Sequence, residues 1–591
     1  MRILKKIKQL CPMLNKVLIL CLIISISMTL KAINYSVSFP DVKSHYVSVD
    51  IVFNASGKEF VDFKVPVWTP GSYKVREFSN AFENVSAEDL KVSRLNKNTW
   101  RIFTKSKNQV NLSYDVYCFT VSVRQSYADE YYAFLHGVSV FGYLEGYEDE
   151  NIELTIYPRD NWENVEVSLP KFNKSNNIFT CTNYDLLADS PIALGNFDTI
   201  SYESGNVPHK VVMIGDGNYD LSQIKEDFKK ISDSQVEMMG GHPSEQYVHF
   251  IYNVAQGGGG LEHANSQTSM MSRWNYTNAN RYRSFLGLIA HEYFHLWNIK
   301  RIRPMELGPF DYDKEVYSEM LWIAEGITSY YDDRTLLRMG TYSKEEYLKI
   351  ISSQINRLEN SPGKKEMSLA HSSLLAWVKA YLPNEESSNK TISYYNKGLL
   401  AAVLLDLEIR KSSNNSLDDV MRMLYSDIYL KEDRGFTHEE FVTICSKLAD
   451  KDMNDFFNDV IYSIKPLNYN IFNDFGIDLS IKNEKSNQSW SGVSSKLQGD
   501  KVVVSNIVSN SPGVESGLSV NDEIIAINGW RLNSKFEDYL SKFEIGERVA
   551  VSYSRDEKMQ TTKLKLLANP EIEYELIVKD KANKLLTDWL E

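Results

Sequence analysis

Cysteine is scarce in this chain. Of 591 residues only 5 are cysteine, and Cys11 and Cys21 fall in an N-terminal stretch that reads as a leader. The others, Cys118, Cys181 and Cys445, are odd in number and widely spread, which excludes a disulfide framework. At most one bridge, Cys118 with Cys181, is open to an oxidising compartment. Basic charge is also in deficit: 65 Lys and Arg against 78 Asp and Glu leave a net charge of −13, which argues against nucleic acid or an anionic membrane as partner. Internal repeats and low-complexity segments are missing. Long apolar runs are missing too, except for Val17 to Leu30, which is short for a comfortable membrane span. Arg2, Lys5, Lys6, Lys8 and Lys16 precede that run and Ala32 offers a small residue for cleavage, so residues 1–32 are expected to be a secretory signal, with a retained anchor as the alternative. Leu20 is not small and the apolar run continues past Cys21, so acylation at that cysteine is discounted. The expected location is secreted and periplasmic, with no span left after cleavage.

What is present is ordinary for soluble globular domains: 43% hydrophobic and 24% charged residues. The remaining chain is too long for one hydrophobic core, so several domains are expected. Over 33–204 the pattern is strand. Tyr46-Val47-Ser48-Val49-Asp50-Ile51-Val52-Phe53 and Val61-Asp62-Phe63-Lys64-Val65 alternate, and turns such as Thr69-Pro70-Gly71-Ser72 punctuate them, which predicts a β-sandwich or related antiparallel sheet. Residues 205–339 combine a strand, Tyr247 to Tyr252, with helices; His249 is expected there as a strand residue rather than a ligand. Residues 340–465 read as helical and charged, beginning with a serine-capped Ser343-Lys344-Glu345-Glu346, and are expected to close a cleft. His371 and His438 are expected at their surface. Residues 466–570 change to strand, short capped helix, strand and an Asn528-Gly529 hairpin turn, and 571–591 are expected to trail as a tail.

The stretch that carries chemistry is His291-Glu292-Tyr293-Phe294-His295, an H-E-x-x-H pattern within an apolar segment. On a helix, residues four apart share a face, so two imidazoles converge on one metal while Glu292 points at the adjacent open position. Neutral imidazole suits Zn²⁺, and a third protein ligand plus water completes a catalytic site. Downstream, Trp322-Ile323-Ala324-Glu325-Gly326-Ile327-Thr328-Ser329-Tyr330-Tyr331 holds one carboxylate in an apolar helical run, where a metal partner best explains it. Glu325 is the leading third ligand. Glu315 and Glu319, nearer to His295, are its rivals, although 311–319 reads as a polar, solvated stretch.

Two further segments bear on a site. Gln256-Gly257-Gly258-Gly259-Gly260-Leu261-Glu262-His263 lets backbone approach a ligand closely, as at the edge strand of a substrate cleft, and delivers Glu262 and His263 to a fixed place. Gly259 and Gly260 are the substrate-binding candidates of this run. Ser393-Tyr394-Tyr395-Asn396-Lys397-Gly398 precedes an apolar helix; a phenol near a metal can stabilise an oxyanion, but with 35 tyrosines spacing alone does not single out Tyr395.

Taken together, Gly-Gly-Leu-Glu-His, the H-E-x-x-H continuing through Leu296-Trp297-Asn298-Ile299-Lys300-Arg301-Ile302-Arg303-Pro304, W-x-x-E-G-x-T-x-Y-Y and Y-x-K-G resemble the glycyl aminopeptidase family of zinc metallopeptidases, itself similar to the aminopeptidase N group. The resemblance implies a multidomain α+β protein: an N-terminal β-sandwich, a thermolysin-like zinc catalytic domain with a helical subdomain, and a C-terminal PDZ-like domain. It implies Zn²⁺ on His291, His295 and Glu325, Glu292 as general base, Glu262 as the acid that holds the substrate's amino group, and Tyr395 as transition-state stabiliser. It also implies small N-terminal residues, glycine or alanine, in the peptide substrate. The gap from His295 to Glu325 is longer than in aminopeptidase N and fits the glycyl family's inserted segment. In that family a P-G-S-Y turn like Pro70-Gly71-Ser72-Tyr73 approaches the cleft; here a structural turn is expected.

The C-terminal part resembles a PDZ domain through Asn510-Ser511-Pro512-Gly513-Val514-Glu515-Ser516-Gly517-Leu518 and Asp522-Glu523-Ile524-Ile525-Ala526-Ile527-Asn528-Gly529. Such domains add a peptide strand to a sheet edge and hold a terminal carboxylate in backbone amides. The nearest match to their usual G-L-G-F loop is Trp490-Ser491-Gly492-Val493, so peptide binding and intramolecular packing both remain open. Two other functions are weighed against the aminopeptidase: a thermolysin-like endopeptidase without an amine anchor, and a PDZ-based binding protein with an idle metal site. An intact Glu292 speaks against the last, because a scaffold needs no general base.

Overall fold

The structure, a computed structural model, describes residues 32–172 and 177–591. The stretch read as a leader lies outside them, apart from Ala32. Among the described residues no helix is long and apolar enough to cross a membrane. The chain forms two units. The first comprises residues up to Glu226 with Pro243–Tyr282 and Phe310–Glu315, and the second comprises Asp227–His242, Arg283–Pro309 and Val316–Glu591.

The first unit is built on sheets. Six strands lie in the order Ile178–Cys181, Ile152–Ile156, Ile33–Ser38, Tyr46–Asn54, Gln109–Tyr117 and Phe82–Ala87, and two four-stranded sheets are ordered Tyr143–Leu144, Phe60–Lys64, Thr99–Phe103, Lys91–Arg94 and Asn164–Val167, Ile192–Gly195, Ala133–Leu135, Tyr127–Ala128. The alternation read from Tyr46 onward is real: Val47, Val49, Ile51 and Phe53 are buried in the core and their neighbours are not. That is the pattern of an antiparallel strand covered on one face. Cys118 and Cys181 are both buried here as free thiols rather than as a bridge. Burial pushes the Cys118 thiol far up and the Cys181 thiol up to about 12, so neither is reactive at neutral pH.

A mixed five-stranded sheet follows, ordered Asp198–Ser204, Val207–Ile214, Tyr247–Val254, Ser266–Ser272 and Gly260–His263. Tyr247–Val254 runs parallel to both its neighbours and is buried at every position, as a strand covered on both faces must be. His249 is indeed a strand residue, with Nε2 2.8 Å from the Tyr202 hydroxyl. Gly260–His263 is the outermost strand of this sheet, paired antiparallel to Ser266–Ser272.

The second unit is mainly helical. Ser343 begins the helix Lys344–Glu359 with a full capping box, its hydroxyl on the Glu346 N–H and the Glu346 carboxylate on the Ser343 N–H. His371 is exposed as expected, but His438 is half-buried against Phe457 and Tyr462, and burial lowers its pKa. The PDZ-like domain has its own core of Val504, Ile524, Ile527, Phe536, Val549 and Val551. Asn528 and Gly529, at φ 49° and 83°, make the tight turn between Glu523–Ile527 and Trp530–Arg531.

Residues 571–591, expected as a tail, are folded. Glu573–Val578 pairs antiparallel with Ile477–Lys482, so the PDZ-like domain is inserted between two partnered strands. Lys584–Trp589 then forms a helix whose Trp589 is fully buried against Tyr347 and Phe472, and Arg334 donates to the Trp589 carbonyl. A buried indole and a buried guanidinium bond are what anchor the end of the chain.

Candidate active site

The helix Ala279–Phe294 carries His291 and Glu292 in its last turn, and His295 is the first residue beyond it, its N–H still on the His291 carbonyl at 3.3 Å. The four-residue spacing is therefore kept and both imidazoles face the same way. Glu325 reaches them from a single π-helical turn, Trp322–Ile327, of the kind often found at functional sites. Its Oε2 lies 3.2 Å from His291 Nε2 and 3.4 Å from His295 Nε2. A tetrahedral ion with bonds of about 2.0–2.1 Å sets its ligand atoms about 3.3 Å apart. The Glu325 oxygen is thus already at the edge length of such a site from both imidazole nitrogens, and the chemistry of the set, two imidazoles and a carboxylate, suits Zn²⁺. Among the described residues neither rival, Glu315 or Glu319, joins a group of side chains that could hold a metal ion.

The outward nitrogens are held as metal-binding histidines require. His291 Nδ1 lies 3.1 Å from Asp332 Oδ2, and His295 Nδ1 lies 2.9 Å from the Asn298 carbonyl. Both Nε2 atoms are thereby left for a metal. Asn298 also donates to the carbonyls of Ile323 and Ala324 at 2.8 and 3.2 Å and to the Thr328 hydroxyl at 3.0 Å, tying the turn after His295 to the turn that bears Glu325. Burial opposes a charge on His291, but hydrogen bonds with Asp332 and Glu325 outweigh it and hold its pKa well above the ordinary imidazole value. Burial likewise pushes the Glu325 carboxyl up, and His295 and His291 outweigh that and hold it below the usual carboxylate range. In electrostatic terms the pocket favours a cation.

Tyr395 lies in the first turn of the helix Tyr394–Ser412, half-buried, its ring stacked on His291 with centroids 6.3 Å apart. The two helices that carry Glu325 and Tyr395 meet at glycines. A Cβ on Gly326 would lie 2.5 Å from Gly398 Cα, and one on Gly398 would lie 2.9 Å from Gly326 Cα. No residue but glycine fits either position, which accounts for the glycine in both E-G and K-G. Lys397 is buried and burial lowers its pKa to about 8; its Nζ is 3.4 Å from the Ser463 carbonyl. Within this unit the structure brings together His291, His295, Glu325 and Tyr395, with Glu292 buried next to His291 in sequence.

Glu262, Gly259 and Gly260 belong to the first unit. Gly259 has φ +92°, and Gly260 starts the edge strand that presents Glu262, which is 4% exposed. Among the described residues its carboxylate makes no ion pair. The neighbouring His263 is structural: its Nδ1 is 2.9 Å from Asp189 Oδ1, and Asp189 Oδ2 accepts the Ala264 N–H at 2.7 Å. The Pro70-Gly71 turn has more to do with the site than a bare turn. Gly71, at φ +81°, lies against Glu262, where an added Cβ would be 2.5 Å from Oε1. The inserted segment supports that turn: Trp68 Nε1 donates to the Asp311 carbonyl at 2.7 Å, Val67 N–H to the Tyr312 carbonyl at 2.9 Å, and Lys64 pairs with Asp313 at 2.8 Å.

Sequence reasoning missed Asp332, Asn298 and the Gly326–Gly398 contact. Asp332 had a signal, since it follows Glu325 by seven residues and so returns to the same helix face after two turns. In the PDZ-like domain, the edge strand Val493–Gln498 is already engaged. Glu537 accepts from the Ser495 N–H at 3.1 Å and from its hydroxyl at 2.7 Å, and the Phe536 N–H donates to that hydroxyl at 2.8 Å.

Comparison with known proteins agrees with this geometry. The M61 glycyl aminopeptidase model matches residues 284–401, the Peptidase M61 N-terminal domain model residues 34–196, and a PDZ domain model residues 489–566. The crystal structure of an aminopeptidase N family protein from Idiomarina loihiensis is similar at 29% identity, over 95% of this chain and 100% of that one, with a TM-score of 0.89. A substrate-bound mutant of the M1 zinc metallopeptidase from Deinococcus radiodurans is a distant likeness, at 12% identity over 74% of this chain and 95% of that one, with a TM-score of 0.46. No curated protein matches. With the metal-ligand set assembled on the matched catalytic segment, the chain carries an N-terminal and a catalytic domain of the M61 glycyl aminopeptidase type, followed by a PDZ domain.

Proposed function

We propose that the protein is a secreted zinc aminopeptidase that removes small N-terminal residues, glycine or alanine, from peptides. The observation that carries the exopeptidase reading is Glu262: a buried carboxylate that makes no ion pair among the described residues is costly unless a charge arrives with the substrate. A peptide's α-ammonium is such a charge. Zn²⁺ held by His291, His295 and Glu325 would polarise the scissile carbonyl and lower the pKa of water to about 7. Glu292 takes the proton of the attacking water and returns it to the leaving amine. Tyr395 donates its hydroxyl to the oxyanion, and Glu262 fixes the ammonium so that only the first peptide bond is in reach. Asp332 and the Asn298 carbonyl keep both imidazoles in the tautomer that leaves Nε2 available.

The test is Glu262→Ala assayed on glycyl and alanyl peptides with free and acetylated N-termini. The variant is expected to keep its metal and fold and to lose most hydrolysis, with the deficit shared between KM and kcat because a misplaced substrate reacts slowly. N-acetyl peptides are expected to be poor substrates of the native enzyme. Rapid internal cleavage of blocked peptides with an indifferent Glu262→Ala would establish the endopeptidase instead. For Tyr395→Phe, roughly a 100-fold to 1,000-fold fall in kcat is expected with metal content unchanged, the usual cost of one lost oxyanion donor; an unchanged kcat would remove Tyr395 from the mechanism.

A further inference from the structure

A cavity of about 540 Å³ opens beside Tyr395. Its lining runs from the C-terminal end of the helix Lys344–Glu359 through residues 379–391 to the first turn of Tyr394–Ser412. The chain carries 13 more acids than bases, 78 against 65, yet no aspartate or glutamate lines this space. The charged side chains that line it are Arg357 and Lys379, both exposed to solvent. Neither makes an ion pair among the described residues. The N-terminal end of the 19-residue helix Tyr394–Ser412 adds its positive dipole to the same wall. The far wall is fixed in place by Asn389, which donates to the Ile507 carbonyl at 2.9 Å and accepts the Ser509 N–H at 2.9 Å. The volume suits one or two amino-acid residues.

Tyr395 lines this cavity and also stacks on the ligand His291, so a single side chain links the cavity to the metal site. A space lined by cations repels a substrate's α-ammonium and attracts a carboxylate. In a peptide cut after its first residue, carboxylates are carried by the leaving-group side. We infer that this cavity is a leaving-group subsite that binds a carboxylate of the peptide substrate through Arg357 and Lys379. The inference rests on the aminopeptidase reading. It makes the enzyme a selector of short or acidic peptides, because the carboxylate is either the free C-terminus of a di- or tripeptide or an acidic side chain just past the scissile bond.

The two sources are separated by hydrolysing Gly-Ala-Ala as the free acid, Gly-Ala-Ala amide and Gly-Asp-Ala amide with the native enzyme, and by titrating the same three peptides calorimetrically into the Glu292→Gln variant, which does not consume them. A carboxylate-bearing peptide is expected to exceed the neutral amide about five- to tenfold, mainly through KM, the scale of charge-assisted contacts with partly solvated cations. Preference for the free acid identifies the C-terminus, and preference for the aspartyl amide identifies the side chain. In the double variant Arg357→Gln, Lys379→Gln the ratio is expected to fall to near one, while Arg357→Lys keeps most of it. Equal binding of acid and amide in that titration, or a preference that survives the double variant, overturns the subsite. If none of the free-amine peptides is hydrolysed the aminopeptidase reading fails, and the calorimetric comparison still decides whether the cavity binds carboxylates.

Discussion

Glu325→Ala is expected to lose the metal and, with it, all measurable peptidase activity. The substitution removes one of three protein donors and leaves His291 and His295, which do not by themselves make a catalytic zinc site. It also removes the negative charge that both imidazoles face at 3.2 and 3.4 Å, so the electrostatic demand for a cation falls together with the ligand count. The fold should survive, because the contact of Gly326 with Gly398 and the Asn298 hydrogen bonds to Ile323, Ala324 and Thr328 do not use the Glu325 side chain. Metal analysis of purified protein checks the prediction: about one equivalent in the native chain, and a small fraction of that in the variant. Full occupancy in Glu325→Ala would require another third ligand and would reopen Glu315 and Glu319. Glu325→Asp is the informative companion, since it keeps the charge but withdraws the oxygen by one methylene, and partial occupancy is expected.

The parts of this protein that were legible in the sequence are those whose physics is local. An i, i+4 pair of histidines, a lone carboxylate in an apolar helix and an alternating strand each announce themselves within ten residues, and His291, His295, Glu325 and Tyr46–Asn54 stand where that reasoning puts them. What escaped depends on partners distant in sequence. Nothing near Gly326 or Gly398 in sequence marks the contact that the two helices make through them. Gly71 read as a turn residue because nothing in its neighbourhood points to Glu262, its contact on a different sheet. Asn298 acts on His295 through its backbone carbonyl, which every residue has, so its type gives no hint of that part of the role. The segment after residue 570 read as a tail because its pairing partner, Ile477–Lys482, lies on the other side of the whole PDZ-like domain. The π-helical turn at Trp322–Ile327 also has no sequence mark; it arises where the chain must bring Glu325 to the histidines and Gly326 to Gly398 at once.

Glu292→Gln is expected to separate metal binding from turnover. Glutamine keeps the volume and hydrogen-bonding reach of glutamate but accepts no proton at neutral pH, so only the proton-transfer role is lost. Because Glu292 is not among the three donors assembled around Glu325 Oε2, metal content should match that of the native enzyme. The residue is only 5% exposed, and the amide fills the same space, so stability should change little. General-base catalysis is worth on the order of 10² to 10⁴-fold, and the loss should appear in kcat with KM nearly unchanged, because the proton moves only as the tetrahedral intermediate forms. The same variant should still bind glycyl peptides, and calorimetry with an intact substrate becomes feasible because the peptide is no longer consumed. Measuring metal, kcat and KM on one preparation discriminates the cases: wild-type kcat with full metal would remove Glu292 as the base, whereas coincident loss of metal and activity would make it part of the ligand shell. Slow turnover at full occupancy, with Glu262→Ala equally metallated but deficient in both KM and kcat, is the pair of results that assigns the proton transfer to one carboxylate and the grip on the ammonium to the other.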